Sequence, residues 1–535
     1  MLPTTAGRPG HAALALLVIG LAALVPLWSV AALPASDYPA HLARLHLLSE
    51  GLDPITAQFY RIEPQLLPNL AIDLTVPPLA RLLGVDAAFR VVISVIALLP
   101  LAAAALLQST LHGRIGLGAV VAGAFLFNRT LTLGFYNSAA GAGFALVALA
   151  LWIRLAPRPA LRLAVTTLLA CTVWLCHAFP FLLLGLMIGV WELAEAWREN
   201  DLSPRRLVAR FLPVALAFAP GIVAFAATFH APGDAEIEFN VRGNVGSLIF
   251  AGADDGTFSP APLIIAPVVF LGFVVWREKR FRLPSTVALL CAVLVALAIT
   301  MPESIAGGTN VSQRIAPVLW TVLFAGAAFD IARRTEVILV GATTLVILTQ
   351  TALLTHAWIG YDAETAEFRR ALTKLPEGTR ILPITETLDR SFAPHFHLVD
   401  YTVIDRHGFS PIFFTLPGQQ IVRRTPAAAD LGSRNTFQNN VIPNQWLLAL
   451  DDRPETIDAA VRFYWPWVIG WSCRFDAVAS FHVTDGRLPA DPRLVLIEAG
   501  SFFDLYGVAP ADHCRNTPSQ TTATTSLRPS TTTPY

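Results

Sequence analysis

The stretch AAFRVVISVIALLPLAAAALLQST, residues 87–110, decides the fold. It carries one charge, Arg90, in a run long enough to cross a hydrocarbon core about 30 Å thick, which takes roughly 20 helical residues. Comparable blocks recur at 12–33, 139–156, 211–229, 260–276, 284–301 and 335–357. Shorter or punctuated ones occupy 115–127, 163–177, 180–197 and 315–331. Composition agrees: of 535 residues, 54% are hydrophobic and 14% charged, against about 25% charged in a soluble protein. A soluble fold this apolar would lack the polar groups to coat its surface. The expectation is an α-helical polytopic membrane bundle of about eleven spans with a small C-terminal α/β domain outside the membrane.

Charge placement orients the bundle. Lys and Arg total 38 and Asp and Glu 38, so the sum points to no nucleic-acid partner. The basic residues sit in alternate connections: Arg8; Arg114; Arg154, Arg158 and Arg162; Arg198, Arg205, Arg206 and Arg210; Arg277, Lys279, Arg280 and Arg282; Arg333 and Arg334. The positive-inside rule puts these connections and the N-terminus in the cytoplasm, and an odd number of spans puts the C-terminal domain outside. This is the layout of an inner-membrane protein with a periplasmic domain. Ala-Leu-Pro-Ala at 32–35 has the form of a signal-peptidase site. The long apolar run before it and its single leader charge, Arg8, favour an uncleaved anchor.

Three regions follow. Residues 1–360 form the transmembrane domain, with a long first outer loop at 34–86. Within that loop SDYPAHLARLHLLSEG reads as a short amphipathic helix starting near Pro39, with Leu42, Leu45 and Leu48 on one side, lying on the membrane or packed on the bundle. Residues 65–83, interrupted by Pro68, Asp73, Pro77 and Pro78, read as a partly inserted piece. After Trp358 the pattern changes. A charged helix at 362–375 and strands at 380–384, 399–404, 462–470, 477–484 and 493–498 suggest an α/β domain over 361–516. Residues 517–535, rich in Thr, Ser and Pro, cannot bury a core. Cys473 and Cys514, both in the exported domain, are able to bridge, whereas Cys171, Cys176 and Cys291 read as packing residues of the spans.

Asp37 stands out, an ionisable residue just after the first span. His41 lies one helical turn on, and a carboxylate beside an imidazole can act as a general base or hold a metal. The competing reading makes Asp37 a helix N-cap before Pro39. Arg314, an isolated cation in the outer loop GGTNVSQRIAP, breaks the positive-inside trend. It fits a phosphate, which a planar guanidinium bonds through two oxygens; interfacial snorkelling is the alternative. Arg44 and Arg61 are weaker phosphate candidates in a loop where a solvated charge is the default. His177, at the outer end of its span, contacts an acceptor, pairs with Asp37 or caps the helix, and Asn137 could floor a sugar site. His395, His397 and His407 form a sparse cluster without the spacing of a metal site.

The placement of Asp37 and the layout around it resemble the GT-C superfamily of membrane glycosyltransferases, which use polyprenyl-phosphate sugars. The stretches LGFYNSAAGAGFALVALALW at 133–152 and CHAFPFLLLG at 176–185 look like those of bacterial members of uncertain substrate. The likeness covers roughly residues 10–360 and is one of pattern and layout. It implies an inverting glycosyltransferase, with Asp37 as catalytic base, His41 beside it, and an envelope glycan, lipid or protein as acceptor. A common variant of the family has two adjacent acidic residues; here the neighbour is Tyr38, which puts a tightly held divalent metal (Mg or Mn) in doubt and leaves Glu63 or Asp73 to supply a second carboxylate. Two readings from other classes compete. A transporter or flippase would carry charged or broken-helix sites at mid-membrane, and an envelope assembly protein would leave Asp37 and Arg314 structural.

Overall fold

The computed structural model describes residues 10–228, 237–249, 281–304, 310–386, 394–432, 441–452, 465–482, 488–509 and 514. Among these, seven helices are long and apolar enough to cross a membrane: His11–Trp28, Val85–His112, Tyr136–Arg154, Pro159–Cys176, Ala178–Arg198, Pro204–Thr228 and Arg333–Leu372. The protein is a multi-pass membrane protein. The expected spans at 163–177 and 180–197 are full-length helices, each longer than its apolar block. Three other blocks give shorter pieces, so the expected eleven spans are not read off the described residues. Residues 284–301 form Ser285–Thr300, and 315–331 form Ala316–Gly326. The block at 115–127 breaks into the helix Leu117–Ala122 and a 3-10 turn at Gly123–Phe125. Its Gly118 lies against the Phe324 carbonyl, where a Cβ would collide, so backbone contact with Ala316–Gly326 replaces helical length. The expected span at 260–276 and the tail at 517–535 lie outside the described residues.

The helix Arg333–Leu372 runs unbroken for 40 residues, about 60 Å at 1.5 Å per residue. It is twice a membrane's apolar thickness. The expected break near Trp358 is absent, because charged residues after Tyr361 continue a helix as readily as apolar ones before it. Its end enters the outer domain, where Phe368 packs against Phe481 and Phe503 at 5.4 and 5.0 Å. Three-quarters of the way along, Asp362 accepts hydrogen bonds from the Ala31 and Ala32 N–H groups at 2.9 and 2.8 Å, fixing the chain as it leaves the first span.

The strands are β1 (Tyr60–Ile62), β2 (Phe281–Arg282), β3 (Ala328–Phe329), β4 (Ile381–Thr385), β5 (Val422–Arg424), β6 (Ile442–Pro443), β7 (Ala477–Phe481), β8 (Leu494–Ala499) and β9 (Phe503–Val508). A mixed five-stranded sheet in the order β6-β4-β7-β9-β8 centres the outer domain, with β4 parallel to both β6 and β7. The expected strands at 380–384, 477–484 and 493–498 are therefore present. The one at 399–404 is helical, Leu398–Asp400 followed by Tyr401–Asp405. Of 462–470, the described part is a 3-10 turn at Pro466–Val468. In both, aromatic and β-branched residues gave a strand-like composition, while the contacts that chose the conformation are distant in sequence.

The first outer loop and the outer domain are one unit. β1 pairs antiparallel with β5 through Tyr60↔Arg424, Arg61↔Arg423 and Ile62↔Val422. The helix Tyr38–Glu50 is not a surface helix. Its Tyr38, Leu42 and Leu45 join the core of the bundle, while Ala40, Ala43 and Leu47 join the core of the outer domain. Small alanines on the second face allow that close approach. Gly51, at φ 86°, ends it where the chain must turn.

Cys473 and Cys514 form a disulfide. Cys473→Ser is expected to cost about 2–4 kcal/mol of stability. The check is thermal unfolding of the detergent-solubilised protein, with the reduced wild type unfolding at the lowered temperature of the variant.

Candidate active site

Asp37 occupies the N-cap position of Tyr38–Glu50, yet its side chain makes no cap hydrogen bond. Pro39 and the following residues form the first turn without it, and the carboxylate stays available. Its backbone is held instead: the Asp37 N–H donates to Leu133 O at 3.0 Å. That approach depends on Gly134, at φ 92°, where a Cβ would lie 2.8 Å from the Asp37 Cβ.

The side chain of Asp37 is 17% exposed. An imidazole, two guanidinium groups and an acid face it. His397 Nε2 lies 3.8 Å from Oδ1, and Arg314, Arg44 and Asp400 act on it through charge. Burial pushes the carboxyl up to about 6; His397 and Arg314 pull it back, Asp400 pushes it up, and Arg44 pulls it down weakly. A base poised there is ionised at neutral pH and still able to hold a proton.

Arg314 sits in the 3-10 turn Ser312–Arg314. Its Nη1 is 2.9 Å from His177 Nε2, and its guanidinium stacks 4.6 Å over the Phe135 ring. His177 also caps its helix, Nδ1 accepting from the Phe179 N–H at 3.1 Å, so the capping reading holds and Arg314 contact is added to it. Below Arg314 a cavity opens between Val85–His112, Tyr136–Arg154 and Ala316–Gly326. Asn128 and Thr130 line it beside Arg314, and Ser138, Ala142 and Leu146 mark its course along one helix face. From Ser138 to Leu146 the helix rises about 12 Å.

The remaining sequence candidates divide. His41 does not pair with Asp37 through its ring: Nδ1 meets Arg44 Nη2 at 3.0 Å and the ring bonds the Gly134 carbonyl, so both nitrogens are engaged. Burial, then the charge of Arg44, pushes this imidazole well below its ordinary range. Arg44 is no solvated surface charge. It is fully buried, bonding Asp73 Oδ1 through Nε at 3.0 Å and Gln420 Oε1 through Nη1 at 2.6 Å. Asp73 thus neutralises Arg44. Arg61 and Glu63 pair with each other at 2.8 Å on the half-exposed β1, and Glu63 also lies 3.7 Å from Arg423. Glu63 offsets two arginines that the strand register places opposite each other. Asn137 is spent on backbone, accepting from the Ile72 N–H at 3.1 Å and donating to Asn69 O at 2.8 Å. His395, His397 and His407 do not cluster: His395 pairs with Glu364, His407 with Asp53, and His397 with Asp400 and Asp37.

His397, Asp400, Gly134 and Phe135 escaped the reading of the sequence as site residues. The His-x-x-Asp spacing at 397–400 was a local signal for a paired imidazole, but nothing local tied it to Asp37, 360 positions earlier.

No family model matches this sequence, and no curated protein matches it. Two solved structures are similar in three dimensions. One is ArnT from Cupriavidus metallidurans bound to undecaprenyl phosphate, at 11% identity and a TM-score of 0.47, covering 93% of this chain and 97% of that one. The other is the same protein in the apo state, at 11% identity and a TM-score of 0.49, covering 92% and 97%.

Proposed function

We propose that this protein is an inverting membrane glycosyltransferase that moves a sugar from a polyprenyl-phosphate carrier to an acceptor at the outer face of the inner membrane. The observation that carries the reading is the Asp37 carboxylate. It occupies a capping position without capping, is partly exposed, and interacts through charge with Arg314 at the mouth of an apolar cavity.

Each part has a task. Arg314 takes the phosphate, and the cavity beneath it takes the first isoprene units of the carrier. The acceptor oxygen attacks the anomeric carbon from the side opposite the phosphate. Asp37 removes the hydroxyl proton as that bond forms. The bond from the anomeric carbon to the phosphate oxygen breaks with its electron pair left on the phosphate, where Arg314 stabilises the charge. The acceptor is an envelope glycan, lipid or protein. The basic connections on the opposite side and the Cys473–Cys514 disulfide both support an outward-facing domain.

The residues around Asp37 do not fit a divalent cation. Among the described residues no three His, Cys, Asp or Glu side chains converge as ligands. The nearest partners of Asp37 are an imidazole and a guanidinium, where Mg or Mn would call for several oxygens. The step is therefore written without a metal.

Arg314→Met tests the phosphate assignment. Losing a charge-assisted contact worth about 1.5–3 kcal/mol should weaken equilibrium binding of undecaprenyl phosphate in nanodiscs by roughly 10–100-fold. Arg314→Lys, a single point charge, should recover part of it. Equal binding by the wild-type and Met proteins would remove Arg314 from the donor site.

A further inference from the structure

Among the described residues, His397 brings the outer domain beside the Asp37 carboxylate. His397 has its Nδ1 2.6 Å from Asp400 Oδ2 and its Nε2 3.8 Å from Asp37 Oδ1. At the shorter distance a carboxylate accepts, so Nδ1 carries the hydrogen and Nε2 is the nitrogen that gains or loses a proton. His397 is 2% exposed and Asp400 is fully buried. The rings of Phe414 and Phe396 stand against the imidazole at 4.8 and 4.9 Å, holding its orientation. Among the described residues Asp400 Oδ1 has no hydrogen-bond partner, and Oδ2 holds the imidazole. His41, the other imidazole near Asp37, has both nitrogens engaged elsewhere.

We propose that His397, oriented by Asp400, is a positioning residue of the transfer reaction that shares one proton with Asp37 and makes the outer domain a working part of the active site. This rests on reading Asp37 as the base. The acceptor proton passes to Asp37 as the new glycosidic bond forms and the phosphate leaves with the electron pair. It then moves to His397 Nε2, where Asp400 balances the imidazolium and Asp37 returns to its ionised form. The 3.8 Å separation exceeds a hydrogen bond, as catalytic contacts commonly do before substrate tightens a site. Arg314, Arg44, Asp400 and Tyr136 also act on Asp37, and His41 on His397. None of them places a titratable nitrogen toward the carboxylate as His397 does.

The test is an infrared titration of the full-length protein in detergent, following the carboxylic acid band that disappears in Asp37→Asn. In His397→Gln the midpoint of that band should rise by roughly one pH unit, because the first proton the pair binds no longer has Nε2 to move to and stays on the carboxyl. An unchanged midpoint overturns the proposal. If His397→Gln does not fold, nitrogen-15 histidine spectra of Asp37→Asn decide the matter. The ring nitrogens of His397 should shift while those of His407 stay put, and no shift at His397 overturns it. In sugar transfer from polyprenyl-phosphate donors, His397→Gln should lower kcat about tenfold with donor KM unchanged, and its acid limb should move to higher pH. Transfer surviving in Asp37→Asn sinks the glycosyltransferase reading. Transfer lost in Asp37→Asn but unchanged in His397→Gln sinks this inference alone.

Discussion

Asp37→Asn should accumulate to wild-type levels and transfer sugar about 10²–10⁴ times more slowly, the usual contribution of a positioned base. The substitution keeps the shape of the side chain and removes its ability to take a proton. The pH dependence follows from the same carboxyl. Only the ionised form accepts the acceptor proton, and burial holds the carboxyl up at about 6. Wild-type transfer should therefore fall about tenfold per unit as pH drops below that value. Stability should move the other way. The folded carboxyl binds its proton more tightly than the ordinary value of 3.8, so the native state holds more protons than the unfolded one between 3.8 and about 6, and stability is lost as pH rises through that window. At pH 7 the Asn variant escapes this cost and should be more stable, by up to about 3 kcal/mol. A helix cap behaves differently: Asn caps as well as Asp, so the Asn variant would keep its stability, and only Asp37→Ala would lose about 1 kcal/mol. Thermal unfolding at pH 7 and pH 4 separates the two: a fully active Asn variant of unchanged stability beside a destabilised Ala variant would return Asp37 to the role of a cap.

Arg44→Met should be the most damaging single change away from the chemistry. The guanidinium is fully buried and holds Asp73, Gln420 and His41 together, joining the helices Tyr38–Glu50 and Ala71–Leu83 to the outer domain. Removing one partner leaves the Asp73 carboxylate buried without its counter-charge, at a cost of about 3–5 kcal/mol. The double variant Arg44→Met, Asp73→Leu removes both charges and should regain most of that loss, since a buried ion pair replaced by apolar groups of similar size is often neutral. Thermal unfolding in detergent reads both. If the double variant is no better than the single one, the damage comes from Gln420 and His41 and not from the stranded carboxylate.

The legibility of the site differed residue by residue. Asp37 and Arg314 stand out in the sequence because each breaks a trend visible in the chain: a carboxylate at a bilayer edge, and a lone cation in an outer loop. Arg44 and Asp73 stand out in the sequence as separate candidates, and the structure pairs them with each other. Within a loop of mixed polarity nothing separates an exposed charge from one buried against its partner, because burial depends on what packs over it. Asn137 likewise stands out for its position, while its amide is occupied by the backbone of the first loop.

What the sequence determines by itself is the membrane bundle. Apolar length and the alternation of basic connections are local properties, and the bilayer acts on them one segment at a time. The tertiary structure alone decides that the helix after the first span lies between two cores, that β1 belongs with β5, and that His397 completes the surroundings of Asp37. Those contacts join residues hundreds of positions apart. They arise because an outer domain with a mixed sheet folds back onto the first loop to bury both, and no periodicity along the chain records which distant side chain fills a given space.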